Sequence, residues 1–226
     1  MGRDMFGRII KELKSHAPFT IFGALTGIFL MMIFSRLSFK TAHTVFYILH
    51  PVHVVLSALV TASMYELHEC GRISSRCIKG KCNFWVLFII GYLGSVGIAT
   101  LSDSVIPYFG EILLDLPNRK MHLGFIEKWW LINPLAFIGV LAAYYRPATK
   151  VPHAGHVLLS TWASLFHILM ARGGAISGFG YVVLMVFLFF AVWLPCCISD
   201  IAFPLLFVKK NRNVPIKKSP LWNEYF

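Results

Sequence analysis

Charge is what this chain has least of. Asp, Glu, Lys and Arg make up 14% of its 226 residues, and only ten residues are acidic. A soluble domain carries about 25% charge, so an ordinary soluble globular composition is excluded. Cysteine is sparse and odd in number: Cys70, Cys77 and Cys82 share one loop, and Cys196 and Cys197 adjoin in an apolar run. That usage argues against a disulfide framework, and the spacing His68-x-Cys70-(x)6-Cys77-(x)4-Cys82 fits no standard zinc motif, so the loop reads as free thiols. Also missing are a Gly-rich phosphate loop, a Gly-x-Ser-x-Gly elbow and a His-Glu-x-x-His pair, which removes the usual signatures of nucleotide binding and of two hydrolase classes. No cleavable signal peptide is expected, and the start Met-Gly-Arg-Asp-Met-Phe lacks the hydroxyl residue needed for myristoylation.

What fills the chain instead is apolar: 57% hydrophobic residues and a mean hydropathy of +0.69. Six long apolar stretches stand out, at about 18–36, 41–65, 84–114, 129–145, 151–172 and 178–208. Most reach the ~20 residues a spanning helix needs. The expectation is an all-α integral membrane protein with six transmembrane helices, the fourth the shortest and the third and sixth long enough to tilt or kink.

The net charge of +11 is spread over helix ends and short loops rather than gathered in one patch with aromatics, so no nucleic acid is expected as a partner. With the N terminus inside, 15 of the 21 Lys and Arg fall on the cytoplasmic side. The positive-inside rule then favours a cell (inner) membrane protein with both termini cytoplasmic. Residues 1–15 read as a basic interfacial segment, residues 116–129 as an external linker leading into Trp129-Trp130, and residues 209–226 as a basic cytoplasmic tail.

The chain repeats itself. His50-Pro51-Val52-His53-Val54-Val55-Leu56-Ser57 returns 103 residues later as His153-Ala154-Gly155-His156-Val157-Leu158-Leu159-Ser160. Ser102-Asp103-x-x-x-Pro107 returns as Ser199-Asp200-x-x-x-Pro204, and Pro18-x-x-x-x-Gly23 as Pro134-x-x-x-x-Gly139. These echoes define two three-helix units, 16–115 and 130–208. Because each has an odd number of spans, the second enters the membrane inverted.

Ionisable residues are costly in a bilayer, so duplicated ones point to a working site. His50 and His53 share a helical stripe with His43 and Ser57, and His153 and His156 share one with Ser160 and His167. Histidines at i and i+3 offer two imidazoles to one ion. Pro107 and Pro204 lack amide hydrogens and should leave the carbonyls of Asp103 and Asp200 without their usual partners, beside Ser102 and Ser199. That makes an oxygen-rich place for a cation.

The expected metal ligands are therefore His50, His53, Asp103, His153, His156 and Asp200, with His43, Ser57, Ser102, Ser160, His167 and Ser199 as accessories. Helix depth brings His50, His53 and Asp103 together in the outer half of the membrane. Inverted symmetry puts His153, His156 and Asp200 in the inner half, where the closeness of His153 to the start of its helix brings that station near the surface. Glu66 and Glu111 are placed at the interfaces, and Gly91, Gly94 and Gly97 on a packing face.

The leading functional expectation is a transporter of a cation, most plausibly a divalent transition metal, with zinc, iron, nickel, manganese and copper undistinguished. Its partners are the lipid bilayer and the transported cation, and assembly as a homodimer is left open by the small size. A membrane metalloenzyme, such as a zinc hydrolase or di-iron oxidase, is the alternative; the symmetry of the ligands argues against it, since an enzyme needs one asymmetric site. A haem-binding electron carrier is a third reading, from the fourteen-residue spacing of His153 and His167.

Overall fold

A long apolar run has no water to bond its backbone in a membrane, and a helix satisfies those groups internally. In a computed structural model, which describes residues 2–33, 37–69, 83–148, 150–174, 177–198 and 203–207, all regular structure is helical. The helices are α1 (Gly2–Ile33), α2 (Phe39–Glu69), α3 (Phe84–Thr100), α4 (Ile106–Leu113), α5 (Gly124–Glu127), α6 (Trp129–Tyr145), α7 (Lys150–Ala171), α8 (Gly178–Cys197) and α9 (Phe203–Leu206). A π-helical turn, Leu101–Val105, joins α3 to α4 without a break. Side-chain caps start two of the helices. Asn83 accepts the amide hydrogen of Trp85 at 3.0 Å, and Ser177 that of Gly180 at 3.1 Å.

Four stretches are long and apolar enough to cross a membrane: Phe39–Glu66, Phe84–Leu113, Pro152–Ala171 and Gly178–Cys196. The remaining two apolar helical segments, Ala17–Ile33 and Trp129–Tyr145, are shorter. At 17 residues α6 rises about 26 Å, less than the ~30 Å hydrocarbon layer. The N-terminal residues, expected to form a segment of their own, are continuous with the first apolar helix, because α1 passes through Pro18 unbroken. Ser199, Asp200, Cys70, Cys77, Cys82 and the tail 209–226 lie outside the described residues.

The surface is turned inside out relative to a soluble protein. Phe22, Phe29, Trp85, Leu93, Phe179 and Val182 face outward, while His50, His53, Glu66, Asp103, Ser160 and Thr161 are buried. α2 and α7 form the central pair; α2 also packs on α3 and α6, α1 on α7 and α8, and α3 on α6. Along α2, Phe46 belongs to one apolar core and Ala58 to another, and His50 and His53 fall between them.

Two glycines mark close helix approaches between the two halves of the chain. A Cβ on Gly139 of α6 would stand 2.5 Å from the Val55 carbonyl oxygen and 2.8 Å from Ala58 Cβ on α2. A Cβ on Gly23 of α1 would meet Thr161 at 3.0 Å and Leu158 at 3.5 Å on α7. Of the glycines on α3, Gly91 and Gly94 face Ala62, Val140, Thr61 and Phe203 closely, whereas Gly97 has open space beside it.

Candidate functional site

Asp103 is the hub. It is fully buried within the π-helical turn, and four donors converge on its carboxylate. Nδ1 of His50 lies 2.8 Å and Nδ1 of His53 2.7 Å from Oδ2. The hydroxyls of Ser102 and Ser160 reach Oδ1 at 2.8 and 2.7 Å. With its acceptor positions taken in this way, the carboxylate fixes two imidazole rings and holds α2, α7 and the π-turn together.

The turn itself explains why this works. Ile106 donates its amide hydrogen to Leu101 O, five residues back, which is the π pattern. In that register the proton missing from Pro107 leaves the carbonyl of Ser102 unpaired, rather than that of Asp103 as a plain α-helical proline kink implies. Ser164 of α7 fills the gap, its hydroxyl donating to Ser102 O at 2.8 Å.

Because Nδ1 of each ring faces Asp103, Nε2 is the nitrogen left on His50 and His53, and neither Nε2 has a hydrogen-bond partner although both are buried. Gly124 of the linker helix lies against His50; a Cβ there would stand 2.8 Å from His50 Nε2. His53 stacks on His156 from the second half, with ring centroids 5.6 Å apart and planes 10° off parallel. His153 meets His156 edge-on at 4.9 Å. The second His pair thus abuts the first, instead of standing as a separate station. Ser57 is buried one turn beyond His53 on α2.

Two groupings have metal-ligand spacing among the described residues. In each of them, one ligand atom per residue lies within 4.8 Å of the others: His50, His53 and Asp103, and His53, His156 and Cys196. Cys196 is a buried thiol on α8, one residue past Pro195.

A second polar cluster lies toward the linker. Glu111, near the end of its apolar run, is fully buried and pairs with His167, whose Nδ1 is 2.6 Å from Oε1. The backbone amide of His122 donates to Nε2 of His167 at 3.3 Å. Both nitrogens of His167 are thereby engaged. Glu66, at the end of the apolar stretch Phe39–Glu66, is likewise fully buried. Phe46 bridges the clusters: its ring stacks on His50 at 5.2 Å and meets His167 edge-on at 5.4 Å.

At the rim, Glu127 accepts from Tyr47 and from His122 Nδ1, the latter at 3.1 Å, and His43 packs on Tyr47 and His122. Burial lowers the pKa of His122, and the nearby His167 and Lys120 add to this against the opposing pull of Glu127. For Glu127 burial acts upward, but the hydrogen bonds from Tyr47 and His122 outweigh it and its carboxyl is lowered.

No protein-family model, curated protein or solved structure matches this chain, so its function is argued from this geometry.

Proposed function

We propose that this protein is an integral-membrane transporter of a divalent transition-metal cation, which passes through the buried histidine cluster. The observation that carries the reading is the state of His50 and His53. A single carboxylate pins both Nδ1 atoms, and both Nε2 atoms are left buried without a partner. Orphaned ring nitrogens cost free energy inside a protein, and a carboxylate behind an imidazole is the usual support for a metal-binding nitrogen. Cations from the first transition row suit imidazole donors.

Architecture supports transport over storage. We read six spans in two inverted units, with α1 equivalent to α6, α2 to α7 and α3 to α8. The glycine contacts follow this equivalence: Gly139 touches Val55 and Ala58, and Gly23 touches Leu158 and Thr161, the positions 103 residues further on. The pairing of α1 with α8 mirrors that of α3 with α6, and the pairing of α1 with α7 mirrors that of α2 with α6. Ile198 is wound in the π form, at the place corresponding to Leu101. Inverted repeats that build a site near the membrane midplane suit alternating access. The positive-inside bias of the loops favours cytoplasmic termini.

The test is element analysis of the purified protein paired with metal flux into proteoliposomes. Bound transition metal and protein-dependent flux are expected. Metal bound without flux favours an enzyme, and absence of both removes the reading.

A further inference from the structure

Resting on that reading for the presence of a metal, we infer that the ion is held by His53, His156 and the thiolate of Cys196, with Asp103 orienting rather than coordinating, so that the cargo is a thiophilic ion such as Zn2+ rather than a hard one such as Mn2+. The two candidate groupings share His53 and differ in the partner it works with.

Against direct coordination by Asp103 stands its saturation. Two imidazoles and two hydroxyls already occupy its oxygens at 2.7–2.8 Å. An ion entering there would have to displace buried donors and leave them unpaired. In the grouping with Cys196, His53 keeps an open donor atom. Nδ1 of His53 is committed to Asp103, its Nε2 is buried and unpartnered, and the ring stacks on His156.

Charge decides in the same direction. A divalent ion bound by two neutral imidazoles and one thiolate carries a net charge of one, which the neighbouring Asp103 carboxylate cancels. Without the thiolate a positive charge stays buried, at a cost of several kcal/mol. The thiol loses its proton as the metal binds, M2+ replacing H+ on sulfur, and that proton leaves the site.

The three ligands come from α2, α7 and α8, so the ion ties the first half of the chain to the second. Tetrahedral zinc holds such atoms about 3.3–3.6 Å apart. Closing from 4.8 Å therefore takes at most about 1.2–1.5 Å of side-chain movement. A fourth position is left for water or for a residue of the next binding state.

The probes are Co2+ and Cd2+, added to the purified full-length protein, with Zn2+ and Mn2+ in competition. Thiolate-to-metal charge-transfer absorption in the ultraviolet is expected. It should persist when Cys70, Cys77 and Cys82 are all changed to Ser, and in Cys197→Ser, and disappear in Cys196→Ser. Zn2+ should displace the probe and Mn2+ should not. Cys196→Ser should weaken Zn2+ binding by more than the roughly 10–100-fold expected for loss of an outer-shell partner. Persistence of the band when every cysteine except Cys196 is changed to Ser assigns it to Cys196 without requiring Cys196→Ser to fold.

Metal bound without a thiolate band, or with a band insensitive to Cys196→Ser, overturns this ligand set and leaves the transport reading standing. A band without flux upholds the site and overturns transport. No metal bound at all overturns both.

Discussion

Asp103 does more than any other side chain to define the centre, and its replacement separates orientation from charge. Asparagine in its place can turn its carbonyl oxygen to the two imidazole N–H groups and its amide to the two serine hydroxyls, which can rotate to accept. The rings then keep their positions while the site loses one negative charge. Asp103→Asn is therefore expected to lower Zn2+ affinity about 10–100-fold, the range for an outer-shell carboxylate, with the protein still monodisperse in detergent. Asp103→Leu removes the acceptor outright and should abolish binding. Equilibrium dialysis on the two variants measures this, and equal losses would put Asp103 among the direct ligands. The meeting of Asp103 with His50 and His53 was legible in the sequence, since residue rise along two helices of opposite direction brought them to one depth. Cys196 was not, because hydropathy marks it as one more apolar residue of α8 and carries no information on which helix it faces.

Among the elements, the segment from α4 to α6 carries the most structure that the sequence left unstated. Leu116–Lys128, read as an external linker, turns back onto the bundle end and buries Leu116, His122 and Gly124. The turn begins at the end of α4, where Leu116 donates to Glu111 O and Asp115 to Ile112 O, with Asp115 at φ 50°. That is a Schellman close with Asp in the left-handed position usually filled by glycine. It fixes Glu111 beneath the linker, a placement that depends on the chain's return and not on local hydropathy. Titration should loosen this contact. His122 has a folded pKa below its usual value, so its stabilisation is full above the unfolded pKa of about 6.5 and is lost as pH falls through the lowered value. Glu127, also lowered, loses its contribution only in stronger acid. Amide hydrogen exchange across residues 118–128, corrected for intrinsic rates, should therefore rise between pH 7 and pH 5 and rise again below pH 4.5. In His122→Gln the first step should be absent; an unchanged pH profile in that variant would exclude His122 as its source.

At the scale of the whole molecule, composition and periodicity gave the helical class and the positions of the apolar runs, because bilayer-length runs leave the backbone little alternative. Packing between helices was legible only where glycine marked it. The same glycines have a mechanical consequence. α1 is keyed into α7 at Gly23, and α6 into α2 at Gly139. The two halves are thus clasped like crossed hands, and rocking them apart as blocks would break both contacts, Gly23 with Thr161 and Gly139 with the Val55 carbonyl. On the transport reading, the four clasped helices are the stator, and the moving arms are α8 and the part of the third span beyond its π-turn. A Cβ on Gly23 would lie 3.2 Å from that of Thr161, within a few tenths of an ångström of disulfide geometry. A disulfide between Gly23→Cys and Thr161→Cys should leave metal flux intact. A short crosslink between α4 and α8, at Gly110 and Phe187, should stop it. The reverse outcome would make the clasp itself the moving joint.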